Sequence, residues 1–595
     1  MFRFRFAFYY PYTGNSKQFK KGANMKKKYK DIAKILILPV FSGIALAGCA
    51  GFGAFGGNAD NTESISSEAS QVAYTQTENI SDSSSETNAS YNGEIPEGFS
   101  ERDFQTDHSD AVRVTLSDNS SSAEGDGVII DGNNITFTSA GTYLLSGSLS
   151  DGQITVDLPG EEDKIQLVLD GVNVSKNGSA GIYVKNADKV FVTTVSGSEN
   201  TVTSTGKFVQ SDENNVDGAV FSKDDICFNG GGTLTVAAQT GHGIVSKNDL
   251  KITSGTYSVD SSGNALQGKD FVGIAGGNIS LSAGSDGIES VHLAVYDGDI
   301  DISAEDDGIN IKENDEDTSP TIILNGGNID IDSADDSIQT TGDLTLDGST
   351  LSLVAGGGSE NAAQHYGDTA FGNMGGWKGM GQGGPAFGGE QDSSGEINYD
   401  TDDDDTIGDG SSNKGIKASN IILKKGSVEI DAQDDAVNAD HTVSAEGGTY
   451  TLTAGDDGIH ADESITLNGG AFTIEAWEGL EATVITINDG DINISASDDG
   501  INATPKVSNM NCGLEIGGGT ITVDMAQGDT DALDSNGFLM INGGTIDLNA
   551  QSPFDYDGEE SLNSGTVYVN GSQVTELYNQ MMGGGQMGGQ GRGMF

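Results

Sequence analysis

The sequence predicts an all-β fold, a right-handed parallel β-helix with about 21 to 22 residues in each coil. Three observations lead to this prediction: a four-residue box returns at nearly constant steps, apolar and polar residues alternate between the boxes, and glycine-rich corners separate the alternating runs. A fixed period of this size is typical of a solenoid, in which one repeat cannot bury its apolar face alone. We therefore expect short strands stacked coil upon coil.

The box is clearest in the carboxyl-terminal half of the chain. Asp-Asp-Gly-Ile at residues 456–459 returns as Trp-Glu-Gly-Leu at 477–480 and as Asp-Asp-Gly-Ile at 498–501, each time 21 residues further on. Related boxes begin at Gly263, Ser285, Asp306, Asp335, Asn413 and Asp434. The longer step into the box at Asp335 contains an extra loop, residues 313–320.

The segments between boxes have the pattern of strands. Ile465 and Leu467, and then Phe472 and Ile474, alternate with polar residues on either side of Asn-Gly-Gly at 468–470. A period of two indicates strands, and glycine permits the positive φ that a tight corner requires. The leucine spacing of leucine-rich repeats and the nine-residue period of calcium rolls are both absent.

The acidic residues of the boxes predict a metal site. Equivalent residues of successive coils stack about 4.8 Å apart, and two carboxylates at about 5 Å repel by roughly 3 kcal/mol at an effective dielectric near 20. A hard cation with oxygen ligands, calcium above all, relieves this repulsion. The candidate ligands are Asp306, Asp307, Asp335, Asp336, Asp434, Asp435, Asp456, Asp457, Asp498 and Asp499. Alternatively, these residues form turns and their side chains cap local backbone amides.

Composition limits the possible partners. The chain has 595 residues with 87 Gly, and 90 acidic against 29 basic residues give a formal net charge of −61. Nucleic acid is therefore not an expected partner. Such a surface holds cations and repels anionic polymers unless divalent ions bridge the two. We expect a monomer.

The first hundred residues predict export and anchoring. We interpret residues 1–24 as a mis-assigned start and residues 25–48 as a signal peptide, with a lysine-rich beginning and an apolar run at 35–47. The signal ends Leu-Ala-Gly-Cys, which resembles the lipobox of bacterial lipoproteins and implies that Cys49 carries a lipid. This would place the protein on the extracellular face of the bacterial membrane; a plain signal peptide is the alternative. Residues 49–100 are polar and predict a disordered tether.

The body of the chain, residues 101–578, resembles a known family. The runs at 135–147 (ITFTSAGTYLLSG), 152–156 (GQITV) and 167–172 (LVLDGV), followed by the boxes, are similar to the carbohydrate-binding β-helix family. That resemblance implies binding of cellulose and pectic acid, bound calcium, and a fold like that of calcium-dependent pectate lyases. It runs from about residue 112 to about residue 578 and is interrupted once.

The interruption and the end of the chain are of low complexity. Residues 356–412 are rich in Gly and Met and predict a loop extruded from one coil. This loop includes Trp377, which can stack on a sugar but more simply belongs to a flexible segment, and the acidic run at 402–405, interpreted as solvated charge. The tail at 579–595 is similar and predicts disorder. Cys227 and Cys512 lie many coils apart, so no disulfide between them is expected.

No catalytic motif is apparent, and we predict a non-catalytic protein. The triad, zinc and phosphate-loop patterns are absent. A lyase is the enzymatic alternative, and it needs calcium and a basic residue to remove a proton. Lys312 beside Asp306 and Asp307, and Lys414 or Lys417 near Asp434 and Asp435, are the candidate bases. The alternative role of these lysines is to pair with the acidic columns.

One box departs from the acidic pattern, with Trp477 and Glu478 in place of the two Asp residues. An aromatic face there can stack on a pyranose ring while Glu478 and Glu481 bind its hydroxyls. Alternatively, Trp477 covers a corner of the solenoid.

The sequence thus predicts a surface lipoprotein that binds polysaccharide through a calcium-binding β-helix. The alternatives are a calcium-dependent polysaccharide lyase and a structural adhesin without glycan specificity.

Overall fold

The structure is a computed structural model. It describes residues 94–160, 163–314, 319–365, 406–407, 412–527 and 530–579. The chain divides into two units, Met1–Ala89 and Ser90–Phe595, and all the described residues belong to the second.

The described residues form 43 strands and two short 3-10 helices, Glu101–Phe104 and Ser359–Asn361. The first ten strands are β1 (Val112–Ser117), β2 (Ser122–Ala123), β3 (Val128–Asp131), β4 (Asn134–Phe137), β5 (Gly141–Leu149), β6 (Gln153–Asp157), β7 (Lys164–Asn177), β8 (Ile182–Asn186), β9 (Lys189–Thr194) and β10 (Glu199–Thr205).

The next strands lead up to the low-complexity insertion. They are β11 (Gly218–Ser222), β12 (Asp225–Gly230), β13 (Thr233–Ala238), β14 (His242–Ser246), β15 (Asp249–Ile252), β16 (Thr256–Ser261), β17 (Leu266–Gly268), β18 (Phe271–Ile274), β19 (Asn278–Ala283), β20 (Ile288–Ser290), β21 (His292–Val295), β22 (Asp299–Ala304), β23 (Ile309–Ile311), β24 (Thr321–Leu324), β25 (Asn328–Ser333), β26 (Ile338–Thr340) and β27 (Asp343–Ala355).

The remaining strands begin within the insertion. They are β28 (Gln364–His365), β29 (Thr406–Ile407), β30 (Ile416–Ala432), β31 (Val437–Ala445), β32 (Thr449–Ala454), β33 (Asp457–Ala476), β34 (Glu478–Ala496), β35 (Ile501–Ala503), β36 (Gly513–Ile516), β37 (Thr520–Met525), β38 (Leu533–Ser535), β39 (Phe538–Ile541), β40 (Thr545–Asn549), β41 (Glu560–Leu562), β42 (Thr566–Val569) and β43 (Ser572–Val574).

Parallel pairing between every third strand organises the fold. From β11 to β26 each repeat contributes one strand to each of three columns: the first column includes β14, β17 and β20, the second β15, β18 and β21, and the third β16, β19 and β22. In the third column Tyr257 pairs with Ile279 and Ile279 with Ile300, so the register repeats at the period of the sequence. The all-β prediction is confirmed. The right-handed β-helix stays a prediction, since these pairings define parallel stacking but not its hand.

The three columns enclose an apolar interior because side chains alternate along each strand. In the third column Ile279, Ile300 and Ile329 point inward and are at most 3% exposed, while their neighbours in sequence are exposed. Further along this column the rings of Tyr450 and Phe472 are stacked, with centroids 4.6 Å apart. Isolated hairpins are marginal in water, whereas each repeat here buries its apolar residues against the next.

The segment before the first strands packs across the second column. Residues 94–105, here called the strap, bury Asp103, whose Oδ1 lies 2.6 Å from Lys189 Nζ on β9. The backbone oxygen of Asp103 accepts hydrogen bonds from Asn229 on β12 and from Thr253 at the end of β15. The predicted tether therefore ends earlier than residue 100, because residues 94–100 are part of this packed segment.

A second segment covers the first column. Residues 206–217 pack against the outward-facing Tyr183, Phe221 and Val245, and Val216 completes this small apolar cluster. The hydroxyl of Tyr183 donates to Asp212 within the covering segment. Among the described residues, the outward side chains of the third column on β16, β19, β22 and β25 are exposed.

Several predictions concern residues outside the described part of the chain. They are the start at 1–24, the signal peptide at 25–48, Cys49, the tether up to residue 93, Trp377, the acidic run at 402–405 and the tail from residue 580. Within the described residues, no helix has both the length and the apolar character needed to cross a bilayer. Cys227 and Cys512 are both buried free thiols.

Candidate metal centre

The boxes lie at the corner between the third and first columns. The box at 306–309 joins β22 to β23, and its glycine leaves no room for a side chain. A Cβ on Gly308 would lie 2.3 Å from Ile331 Cγ2 and 2.6 Å from the backbone oxygen of Ser337, both in the next repeat. Real Cβ atoms do not approach so closely, so this position requires glycine. The corner thereby brings acidic residues of neighbouring repeats together.

In five boxes the second residue uses one side-chain oxygen to join neighbouring repeats. Its Oδ1 accepts a hydrogen bond from the backbone N–H of a residue in the following repeat. The pairs are Asn264 with Asp286, Asp307 with Asp336, Asp336 with Lys414, Asp435 with Asp457, and Asp499 with Asp531. The alternative interpretation, in which the side chains of the box cap backbone amides, therefore holds for the Oδ1 atom of each of these five residues. The second carboxylate oxygen of each Asp faces other side chains: Oδ2 of Asp307 accepts a hydrogen bond from Gln339, and Oδ2 of Asp435 accepts hydrogen bonds from Lys414 and Asn438.

The acidic groups of three successive boxes form an amino-terminal cluster. It consists of Asp286, Asp306, Asp307, Asp335 and Asp336. One oxygen from each of Asp286, Asp306 and Asp307 lies within 4.8 Å of the others, and the same holds for Asp307, Asp335 and Asp336. Asp286 is 3% exposed, and its Oδ1 has no hydrogen-bond partner among the described residues.

The carboxylates of this cluster repel one another. Burial, followed by the charges of Asp336 and Asp286, raises the pKa of Asp307 to about 7. Burial likewise raises the pKa values of Asp286 and Asp336 to about 6. Nζ of the nearby Lys312 lies 3.1 Å from Glu289 Oε2, so the positive charge of Lys312 is already partly balanced by Glu289. Closely spaced carboxylate oxygens, one of them without a donor, fit the oxygen-ligand requirement of calcium.

A pH dependence follows from these raised pKa values. In chelator, we expect the free energy of unfolding to decrease between about pH 4 and pH 7, because Asp286, Asp307 and Asp336 have folded-state pKa values above the unfolded value of about 3.9. Their contribution is fully present below the unfolded pKa and is lost as pH rises through the folded values. Urea unfolding at each pH measures it. The decrease should be smaller in an Asp307→Asn/Asp336→Asn variant; equal slopes in the two proteins would contradict this account.

A central cluster carries its own cations. Asp434, Asp435, Asp456, Asp457, His460, Glu478 and Glu481 supply the closely spaced ligand atoms. Lys414 Nζ lies 2.5 Å from Asp434 Oδ2 and 2.8 Å from Asp435 Oδ2. Lys506 pairs with Glu481 at 3.0 Å. The charges here are thus partly balanced within the chain.

His460 completes this balance. Its Nδ1 lies 2.8 Å from Asp457 Oδ2 and 3.0 Å from Glu481 Oε2. Burial alone would lower the pKa of His460, but its hydrogen bonds with Asp457, Asp462 and Glu481 raise the pKa well above its usual value, which favours the protonated ring. The central cluster therefore contains cations of its own, although burial and the charges of Asp457 and Asp435 still raise the pKa of Asp456 to about 9.

Asp498 and Asp499 form part of a third acidic corner. Burial, then the charges of Asp534 and Asp498, raises the pKa of Asp499 to about 8. Burial and the charges of Asp531 and Asp555 raise the pKa of Asp534 to about 7. Among the described residues, neither Asp498 nor Asp499 belongs to a group of three ligand atoms within 4.8 Å. Their predicted column with Asp456 and Asp457 is interrupted by Glu478, which accepts a hydrogen bond from Asn502.

The three candidate bases all face carboxylates. Lys312 pairs with Glu289, and Lys414 with Asp434 and Asp435. Lys417 pairs in register with Gln339 on one side and with Asn438 on the other, and its charge opposes the rise in the pKa values of Asp335 and Asp336.

The predicted sugar-stacking residues are not all open to a ligand. Trp477 and Glu478 are half-buried at the corner, while Glu481 is 8% exposed and contacts His460 and Lys506. The carboxylate of Glu481 therefore already has two partners.

Sequence reasoning missed Asp286 and Asp103. The signal for Asp286 was its second position in the box at 285–288, which is also the buried position in the boxes that begin at Asp306, Asp335, Asp434 and Asp456.

Comparison with known proteins identifies the class. A family model described as carbohydrate-binding domain-containing protein matches residues 131–293, 290–458 and 456–576. These spans include nearly all of the stacked strands and well over half of the chain. The chain belongs to this family.

Two individual proteins are also similar to this chain. A carbohydrate-binding domain-containing protein of Acetivibrio thermocellus is 40% identical over 136 residues, which are 22% of this chain and 47% of the relative. The chain thus spans about half the length of the curated relative it matches. A solved structure, described as the gadolinium derivative of a polysaccharide lyase-like protein from C. thermocellum, has 32% identity and a TM-score of 0.38, covering 40% of this chain and 96% of that chain.

Proposed function

We propose that this protein binds polysaccharide of the cellulose or pectic acid type without cleaving it, through a right-handed parallel β-helix that holds calcium. The family match across residues 131–576 carries this proposal, because it covers the stacked strands rather than a small part of them. Polysaccharide binding follows at the coarse level from the family. The kind of glycan, the hand of the helix and the metal are our inferences.

The amino-terminal cluster is the best place for calcium. Asp286, Asp306, Asp307, Asp335 and Asp336 would hold it through carboxylate oxygens. A bound cation there would remove the repulsion that raises the pKa of Asp307 and would give the partnerless oxygen of Asp286 a ligand role. In this proposal calcium stiffens the corners between repeats, and the exposed strand faces contact the glycan.

We also propose that Cys49 carries a lipid and holds the protein on the outer face of the bacterial membrane. The lipobox-like sequence before Cys49 supports this proposal. In detergent phase separation, the chain made in bacteria should enter the detergent phase, and a Cys49→Ser variant should stay in the aqueous phase. Equal partitioning of the two proteins would refute lipid attachment.

Affinity electrophoresis tests the binding function. The full chain with Cys49→Ser is run through gels containing soluble cellulose ether or polygalacturonate, with calcium and with chelator. Retardation by at least one glycan supports the proposal, and unretarded migration in every gel overturns it. Incubation with polygalacturonate also tests the lyase alternative, since elimination gives an unsaturated product that absorbs in the near ultraviolet. A steady increase in that absorbance would make the protein an enzyme.

A further inference from the structure

A lysine and an aspartate are in close contact beneath the strap. Lys189 is 7% exposed and Asp103 is 1% exposed, and Lys189 Nζ lies 2.6 Å from Asp103 Oδ1. The other oxygen of Asp103, Oδ2, accepts hydrogen bonds from the backbone N–H and from the hydroxyl of Ser100. These bonds fix the carboxylate with Oδ1 towards the lysine. An amine and a carboxyl group are therefore held together at a place that solvent hardly reaches.

A second carboxylate lies next to this pair. Asp225 on β12 pairs in register with Lys189 on β9, so the two side chains are neighbours on the outward face of the second column. Oδ1 of Asp225 accepts hydrogen bonds from the side chain of Asn248 and from the backbone N–H of Asp249. Burial and the charge of Asp249 raise the pKa of Asp225 to about 6. This carboxyl group can therefore both accept and release a proton near neutral pH.

The strap and the side chains beneath it keep water from the pair. Phe191 on β9 lies under the strap, with Arg102 Cζ 4.3 Å and Lys189 Nζ 5.6 Å from the centroid of its ring. The neighbouring Cys227 on β12 is fully buried against the backbone oxygen of Asp103. Exclusion of water removes the solvation that stabilises separate charges, and it also removes the reactant that hydrolyses an amide. The site thus favours condensation of the two groups.

The ion pair contains every atom that an amide bond requires. Asp225 accepts one proton from the Lys189 ammonium, which makes the amine a nucleophile. Nζ then attacks Cγ of Asp103, and the C–O bond to one carboxylate oxygen breaks. That oxygen takes a second proton from Nζ and the first one back from Asp225, and it leaves as water. One hydrogen of the ammonium stays on the amide nitrogen, so the reaction consumes no oxidant, cofactor or external proton.

We propose that Lys189 and Asp103 condense to an isopeptide bond, a covalent cross-link between the strap and β9, with Asp225 as the proton relay. The ion pair is the state before this reaction. The cross-link goes beyond the proposed polysaccharide binding and does not depend on it. Because the chain enters the strap at residue 94, a pull from the amino terminus would reach the body at β9 through the cross-link, and residues 104–188 would be protected from unfolding under that load.

Peptide mapping of the full chain with Cys49→Ser, made in bacteria, tests this inference without any glycan. After denaturation and digestion with trypsin, mass spectrometry should find residues 103–113 joined to residues 186–207. The mass of this product should be lower than the sum of the two peptides by one water molecule. Residues 186–207 should also stay uncut after Lys189, because the amide removes the charge that trypsin recognises.

A second lysine–aspartate pair serves as the control in the same digest. Lys164 Nζ lies 2.9 Å from Asp188 Oδ2, but both side chains are partly exposed and no strap covers them. We expect no peptide that joins Lys164 to Asp188. A link at this pair as well would show that contact alone is sufficient, and it would overturn the role given to the buried site.

Two variants separate the cross-link from the packing of the strap. Lys189→Arg keeps the positive charge but lacks the amine, so the linked peptide should be absent while circular dichroism matches the parent. Asp225→Asn removes the relay and should slow formation of the link by about a hundredfold, so that freshly made protein is almost entirely unlinked. Only linear peptides from the folded parent, or a linked peptide that persists in Lys189→Arg, would overturn the cross-link. Equal linkage in Asp225→Asn and the parent would contradict the proton relay.

Discussion

Replacing Asp103 by alanine should destabilise the first repeats by about 3–5 kcal/mol, the usual cost of removing one partner from a buried ion pair. Asp103 is 1% exposed, and its carboxylate lies 2.6 Å from Lys189 Nζ. Burial alone would raise the pKa of Asp103, but Lys189, Lys251 and the backbone N–H of Ser100 lower it, so the group is charged. Without this carboxylate, Lys189 would remain buried with its nearest anion removed.

The effect should be local. In a repeat architecture each repeat contacts mainly its neighbours, so the loss of the strap exposes the second column over β9, β12 and β15 while later repeats keep their contacts. Hydrogen exchange followed by mass spectrometry measures this. Faster exchange in β9, β12 and β15 is the expected result for Asp103→Ala.

The exposed Asp107 provides the control. Asp107→Ala removes a carboxylate of the same kind four residues away, and it should leave exchange in these strands unchanged. If Asp103→Ala behaves like Asp107→Ala, the strap contributes no stability and its packing is incidental.

Removing calcium should have the second large effect. If calcium binds the folded chain alone, it stabilises that chain by about 2.7 kcal/mol when its free concentration is about a hundred times Kd. We expect urea unfolding to show a gain of this size on adding calcium to the chelated protein. Asp307→Asn/Asp336→Asn should remove most of the gain, because both residues belong to the amino-terminal cluster.

The control for the calcium prediction changes a neighbouring exposed carboxylate. Asp332 lies on the outward face of β25, in the repeat that also contributes Asp336, and Asp332→Asn should keep the full gain. A gain that persists in Asp307→Asn/Asp336→Asn would place calcium elsewhere, with the corner at Asp499 and Asp534 as the next candidate. No gain in the parent would remove calcium from this account.

Much of the fold could be predicted from the sequence because its determinants are local and periodic. Alternation on either side of Asn-Gly-Gly indicates strands, and the box repeats at the spacing with which the columns pair. Such features require no knowledge of distant contacts.

The strap could not be predicted in the same way. Asp103 meets Asn229 and Thr253 across more than a hundred residues of sequence, and nothing periodic marks residues 94–105. The pairing of Lys414 with Asp434 and Asp435 is the alternative that the sequence offered to a catalytic role. The contacts of His460 with Asp457 and Glu481 depend on how the repeats stack and were not predicted. The difference between the amino-terminal and central clusters therefore becomes visible only in three dimensions.

Co-sedimentation with insoluble glycan tests the central claim most directly. The full chain with Cys49→Ser is mixed with cellulose and with insoluble pectic acid, with calcium and with chelator, while circular dichroism monitors folding. The account predicts that the protein sediments with cellulose in calcium and that most of it stays in solution without a glycan. Failure to sediment with either glycan under any condition, while circular dichroism shows a folded chain, would contradict polysaccharide binding.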